Sequence, residues 1–266
     1  MDNTDNMLPE QRRQYLLDII KENYTARCSE LSERLNVSEM TIRRDLMVLE
    51  KEGKVKRTHG GAIFHHELTG SQFQYKSNKE VNVEEKKKIA ASAVEFIEAH
   101  DVIFIGEGTT PSLILNYVDP NLPFTVYTNN YGIASEISDR KMAATFNLLG
   151  GTYSPETCST SGSMTLEMIG RINADKVFLG VDAFSLRSGL TTKNPEFAAI
   201  DRAMIRKTSG EVIILSDHTK FGMVETLEIA KPKEIDILVT NMKLSQQFCD
   251  DLAAFNIRVV DASNGN

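Results

Sequence analysis

The chain has 266 residues, of which 41% are hydrophobic and 25% charged, with a formal net charge of −7. That length and apolar content exclude a single small module and a disordered chain, and suit one small plus one medium globular domain. The acidic balance excludes a surface that is basic all over, yet residues 8–64 carry 11 Lys and Arg against 9 Asp and Glu, so any nucleic-acid contact belongs to patches of that segment.

Residues 8–23 have Leu16, Ile19 and Ile20 at helical spacing behind Pro9, which predicts an amphipathic helix. Ser29 is expected to cap a short second helix carrying Leu31 and Leu35 on one face. After a tight "NVS" link, Ser38 is expected to cap a third helix, with Val37 and Ile42 as a hydrophobic staple and Gly53 as its stop. "KVKRTHGGAIF" alternates like a short hairpin, so residues 1–64 outline a winged helix-turn-helix. Residues 65–82 are polar and weakly patterned, as a linker is. From residue 83 to 266 the rhythm is helix, apolar strand, polar loop. Strands are expected at "DVIFIG", "FTVYTN", "TFNLLGG", "KVFLGV", "EVIILS", "IDILVT" and "IRVVD". Such alternation predicts an α/β domain on a mostly parallel sheet.

On a helical wheel, Ile42, Leu46 and Leu49 of the third helix share one side, while Met40, Arg44, Met47 and Lys51 point away with Arg43 on their flank. Arginine beside small and apolar side chains at the start of such a helix suits base edges in a major groove. Lys54, Lys56 and Arg57 in the hairpin are placed to neutralise phosphates. A solvated charged face would carry the same residues, and the two preceding helices, the tight link, the cap and the basic hairpin favour DNA. The full stretch "LPEQRRQYLLDII…ELSERLNVSEMTIRRDLMVLEKEGKVKRTHGGA" resembles the amino-terminal signature of the DeoR family of bacterial transcription regulators. The resemblance continues over nearly the whole chain. It implies DNA-contacting roles for Ser38, Met40, Thr41, Arg43, Arg44, Lys56, Arg57 and His59. A single winged helix covers few base pairs, so a homo-oligomer on paired half-sites of double-stranded operator DNA is expected.

In the larger segment, "DVIFIGEGTTPSLILNYV" reads as strand, glycine-rich loop and helix with Pro111 near its start. Gly106 and Gly108 allow close backbone approach, Thr109 and Thr110 offer hydroxyls, and loop N–H groups with the helix start favour an anion. An ordinary strand-to-helix turn looks the same. The resemblance adds a Rossmann-like effector domain similar to ribose-5-phosphate isomerase, with the Gly-Thr-Thr loop at a sugar-phosphate pocket. It also implies pocket roles for Asn129, Gly151, Asp182, Glu196, Asp217 and Lys220, although Asn129 and Asp217 are equally suited to cap turns and Lys220 to face solvent. Two positions depart from the family pattern. Gly106-Glu107 stands where many members have Asp-Ser, and Asp201 where many have lysine. The function implied is that of a repressor of a sugar-metabolism operon, released by a phosphorylated sugar. The rival is a sugar-phosphate isomerase with an appended DNA-binding domain, using Glu196, Asp182 and Lys220 as acid–base groups. No cofactor, metal site or catalytic residue is expected. Cys28, Cys158 and Cys249 are too scattered for a disulfide framework, the amino-terminal stretch lacks a signal-peptide profile, and a cytoplasmic protein is expected.

Overall fold

A computed structural model describes residues 7–23, 25–52, 54–57, 60–64, 75, 79–137, 140–242, 244 and 246–264. The chain divides into two compact units, residues 1–69 and 70–266.

The smaller unit is built from α1 (Pro9–Asn23), β1 (Thr25–Arg27), α2 (Cys28–Leu35), α3 (Glu39–Lys51), β2 (Val55–Arg57) and β3 (Gly61–Phe64). Leu16, Ile20, Leu31, Leu35, Ile42, Leu46 and Leu49 close one core, so the predicted apolar stripes all meet. α1 is tied to α3 by Arg12, whose Nε lies 2.6 Å from the buried carboxylate of Asp45. The hairpin β2–β3 is antiparallel as expected. A third strand, β1, pairs with β3, and Gly61 is required there because a Cβ would lie 2.0 Å from the Ala26 carbonyl oxygen. That strand shifts the start of α2. Arg27, extended, precedes the first helical residue Cys28, so Ser29 lies inside the helix rather than capping it. Ser38 does cap α3, its hydroxyl accepting from the Thr41 N–H at 3.2 Å. Gly53 and His59 lie outside the described residues.

The larger unit has a seven-stranded sheet, every neighbouring pair parallel. Its strands are β4 (Val102–Ile105), β5 (Thr125–Thr128), β6 (Thr145–Leu148), β9 (Ala174–Gly180), β12 (Thr208–Ser216), β14 (Ile237–Thr240) and β15 (Arg258–Asp261). The order is β15-β14-β12-β9-β4-β5-β6, and all seven were predicted. Alternate residues serve opposite faces. Ile103, Ile105, Phe178, Ile213 and Leu215 pack in one core with Ile89 and Ala93 of α4 (Val83–Ala93); Phe104, Val177, Leu179, Val212 and Ile214 pack in the other with Ile200 and Met204 of α7 (Pro195–Arg206). Burial on both faces makes the central strands apolar along their middles, as in "VFL" of β9 and "VIIL" of β12, while the edge strands β6 and β15 are partly exposed.

Periodicity missed the antiparallel additions. β7 (Thr152–Ser154) pairs with β8 (Ser159–Ser161), and β11 (Gly189–Thr192) lies between β10 (Ala183–Ser185) and β13 (Leu227–Ala230). The remaining helices are α5 (Gly132–Ile137), α6 (Ser163–Gly170) and α8 (Gln246–Ala253). The segment after β4 is not an α-helix but a tighter 3₁₀ turn over Pro111–Asn116. Of the expected linker, Tyr75 is held by the larger unit, its N–H donating to the Glu156 carbonyl at 3.1 Å. Among the described residues no helix is long and apolar enough to cross a membrane.

Candidate functional site

In the smaller unit the capped start of α3 fixes which residues face outward. Met40 and Met47 are 62% and 44% exposed, and Arg43, Arg44 and Lys51 are also exposed, while Ile42, Leu46 and Leu49 are shut in the core. Ser38 and Thr41 sit at the helix start, their hydroxyls 2.9 Å apart. Arg43 pairs with Glu39 at 3.2 Å, and Arg57 of β2 with Glu50 at 3.1 Å. Arg44 makes no ion pair with a described residue, so its guanidinium is the one on this helix face with no acid to leave. Lys56 lies in β2. A shallow groove beside this face is lined by Arg27, Ser29, Glu39, Arg43, Gly60 and Gly61. Arg27 did not stand out in the sequence, because only the extra strand β1 brings it to the groove.

In the larger unit the candidate residues collect at the carboxyl ends of the parallel strands. The chain steps from β4 to β5 and β6 on one side, then returns to β9 on the other. The loops after β4 and β9 therefore diverge, opening the crevice where sheets of this kind bind ligands. Gly106, Glu107, Gly108, Thr109 and Thr110 follow β4, and Asp182 follows β9. Gly106 lies against neighbouring elements: a Cβ there would approach Leu179 to 2.6 Å and the Asp201 carboxylate to 3.3 Å. Gly108 has φ +118°, which favours glycine. The backbone N–H groups of Gly108, Thr109 and Thr110 donate to no described residue. Asn130, buried completely and not singled out in the sequence, holds this loop by donating to the carbonyls of Gly108 at 3.1 Å and Gly106 at 3.4 Å.

Asn129 is also buried, and its amide nitrogen donates to Glu107 Oε2 at 3.0 Å and to the Thr160 carbonyl at 2.9 Å. Glu107 and Asp201 are 6% and 5% exposed. Burial pushes the Glu107 carboxyl up to about 7, against the hydrogen bond from Asn129 and with help from Asp182. Burial also raises Asp201 well above the usual carboxylate range, with Glu107 and then Asp182 adding repulsion. Asp182 is exposed and accepts from the Thr192 hydroxyl at 2.6 Å. Glu196, on the first turn of α7, is hydrogen-bonded by Ser161.

Asp217 caps the short turn His218–Lys220, accepting from the Thr219 N–H at 2.9 Å, and Lys220 is half-buried. Lys86 of α4, missed by the sequence reading, acts electrostatically on both. Its ammonium is lowered to about 8 by burial, with Asp217 opposing and Lys220 adding to the shift. A wheel drawn on "EEKKKIAASA" would have found it, since Lys86 shares a face with Ile89, Ala90 and Ala93. Gly151 packs on Thr165 and on the carbonyl of Ser161, the residue whose hydroxyl bonds Glu196, with φ +149°. Its glycine is explained by that packing, since a Cβ would fall 2.1 Å from the Thr165 hydroxyl.

Comparison with known proteins joins the two units. The DeoR-like helix-turn-helix domain matches residues 12–67, and the DeoR C terminal sensor domain matches residues 81–242. The chain belongs to the DeoR family. It is 30% identical to the HTH-type transcriptional regulator GlpR of Haloferax volcanii over 96% of this chain and 98% of that protein. It is 31% identical to the HTH-type transcriptional repressor GlcR of Bacillus subtilis over 92% and 93%. Among solved structures, the tetrameric eIF2B-beta2-delta2 complex from C. thermophilum shares the fold at 12% identity and TM-score 0.50, over 93% of this chain and 88% of that one. A ribose 5-phosphate isomerase from Methanocaldococcus jannaschii aligns at 16% identity over 53% of this chain and 55% of that one, with TM-score 0.38. This DeoR-family protein is a DNA-binding transcriptional regulator and not an enzyme, with α3 as the second helix of its helix-turn-helix and the parallel-sheet unit as its sensor domain.

Proposed function

We propose that this regulator represses a sugar-metabolism operon and leaves its operator when a phosphorylated sugar occupies the crevice of the sensor domain. The observation that carries this reading is the loop 106–110, where three successive backbone N–H groups have no partner among the described residues at the carboxyl end of β4. Such a turn receives a phosphate without moving, and Thr109 and Thr110 add hydroxyl donors. Because Pro111–Asn116 is a short 3₁₀ turn, the attraction comes from these loop N–H groups rather than from a helix dipole. Lys86 and Lys220 supply positive charge further along the strand ends, and Asn129, Asp182, Glu196 and Asp217 supply the polar wall for a sugar. That B. subtilis GlcR is named a repressor supports the sign of regulation. In the DNA-binding unit, Ser38, Met40, Thr41 and Arg44 contact base edges and Arg43 and Arg57 contact phosphates, while Lys56 and His59 join them on the family resemblance alone. The working form is a homo-oligomer, since one winged helix covers too few base pairs for operator affinity.

Operator fragments are recovered by mapping the genomic sites that the protein occupies. Phosphorylated and unphosphorylated sugars are then titrated into the protein–operator complex, followed by fluorescence anisotropy. Release by at least one phosphorylated sugar and by none of the free sugars is expected. Release that ignores the phosphate sinks the reading.

A further inference from the structure

Three buried oxygen atoms at this end of the sheet have no hydrogen-bond partner among the described residues: Glu107 Oε1, Asp201 Oδ1 and Asn129 Oδ1. The orientation of the Asn129 amide is fixed by its own surroundings. Its nitrogen faces two acceptors, Glu107 Oε2 and the Thr160 carbonyl, so its oxygen is the atom left open. With the carboxyls ionised all three are acceptors, and leaving one buried and unpaired is costly. They lie together at the sheet's switch point. Asn129 touches Glu107, Asp201 comes within 3.3 Å of where a Gly106 side chain would begin, and Asp182 and Glu107 both act on Asp201. None of the ion pairs among the described residues brings a lysine or arginine to Glu107, Asp182 or Asp201. Something that donates several hydrogen bonds and carries positive charge completes such a site. A metal ion does not fit, since among the described residues no three acidic, histidine or cysteine groups are arranged to hold one.

We propose that Glu107, Asp201 and the Asn129 carbonyl, with Asp182 at the mouth, bind a protonated amino group of the effector, which is therefore an amino sugar phosphate. This deepens the reading above and rests on it for the phosphate. An ammonium has three donors and no acceptor, which matches three open oxygens. In the free protein, burial favours the protonated form of both carboxyls, so the site holds part of its protons near neutral pH. When the ammonium enters, a carboxyl proton departs to solvent and the ion pair takes its place. Charge balances, and ligand binding is coupled to proton release. The charged groups that act on one another at the site are Glu107 from the β4 loop, Asp182 from the β9 loop and Asp201 from α7. All three are acidic, so each favours a cation.

The test is calorimetric titration of the full-length protein near neutral pH, in two buffers of different ionisation enthalpy. The probes are matched pairs: glucosamine and glucose 6-phosphate, galactosamine and galactose 6-phosphate, mannosamine and mannose 6-phosphate, and the three amino sugars without phosphate. At least one phosphorylated amino sugar should bind about ten-fold tighter than its neutral partner, releasing up to about one proton per ligand. Asp201→Asn should bring the pair to equal affinity and abolish the proton release. Glu107→Gln is the second variant, should the first not fold. If neutral and amino members bind equally, or if the preference survives both variants, the ammonium site is wrong and the sugar-phosphate reading stands. If amino sugars bind with proton release whether or not they carry phosphate, the ammonium site stands and the phosphate reading falls. No binding by any amino member overturns the inference.

Discussion

Arg44 and Asp201 show how differently single residues announce themselves. Arg44 was legible because the wheel put it opposite Ile42 and Leu46, and both of those are buried. If it reads a guanine edge, Arg44→Ala should cost about 1–3 kcal/mol of operator affinity and relax preference at one base pair. Arg43→Ala should weaken all sequences alike, because it first has to leave Glu39. Binding measured on the operator and on single-base variants separates the two, and a uniform loss for Arg44→Ala would remove it from the base edges. Asp201 was legible only as a departure from a family pattern. Its consequence needs burial, which no periodicity gives to an acid. Glu107 and Asp201 hold their protons more tightly folded than unfolded, so their contribution to stability is complete below about pH 4. It is lost as pH rises toward and through about 7. Lys86 works in another window. Its folded value near 8 lies below 10.5, so what it adds appears only above about 8. Between pH 5 and 7.5 the calorimetric transition of the larger unit should therefore fall, by on the order of 3 kcal/mol in stability. Asp201→Asn should flatten that slope and raise stability at the upper end. A wild-type profile that is level over this range would contradict the buried, uncompensated acids.

Elements were legible where burial is uniform and illegible where it is shared. The central parallel strands are buried on both faces, and short apolar runs between polar loops gave them and the partly exposed edge strands β6 and β15 away. β1, β7, β8, β10, β11 and β13 are three or four residues long and rich in small or polar types, such as "TAR", "STS" and "GLTT". They exist because neighbours supply the pairing, as β3 does for β1, and tertiary pairing is invisible to a local pattern. The same cause moved the cap of α2 from Ser29 to Arg27. The cap of α3 was read correctly because an N-cap is a local contact: the Ser38 hydroxyl, the Thr41 N–H and the Thr41 hydroxyl lie within one turn. Ser38→Ala should cost about 1 kcal/mol of stability in the smaller unit. It should also weaken operator binding, since the cap fixes the end of α3 that carries Met40 and Thr41. Ser38→Asp should restore the stability without the DNA affinity, because its charge would face phosphates. Equal operator affinity for wild type, Ala and Asp variants would show that the helix start does not approach DNA.

At the scale of the whole molecule the two sites can influence one another only through a free-energy coupling. A sugar phosphate releases DNA only if it binds the DNA-incompetent arrangement more tightly than the competent one. The coupling is reciprocal, so operator DNA must weaken sugar-phosphate binding by the same factor. A testing variant has to lower effector affinity without disturbing the fold. Gly108 is unsuitable for this, because with φ +118° any side chain there strains the loop. Lys220 is half-buried at the end of a short turn capped by Asp217, and its truncation leaves that cap in place. Lys220→Ala should shift the release curve to higher effector concentration, by about five- to thirty-fold if it removes about 1–2 kcal/mol of a charged contact. The plateau of release should not change, since the coupling depends on the ratio of affinities in the two arrangements rather than on either alone. Thr110→Val should move the curve in the same direction by less, because the loop N–H groups remain. Measuring effector affinity with and without saturating operator, for wild type and both variants, gives the coupling factor twice over. If DNA leaves effector affinity unchanged while effector still releases DNA at equilibrium, release arises at another site. If Lys220→Ala shifts the curve and leaves the factor intact, Lys220 binds the effector and takes no part in the switch.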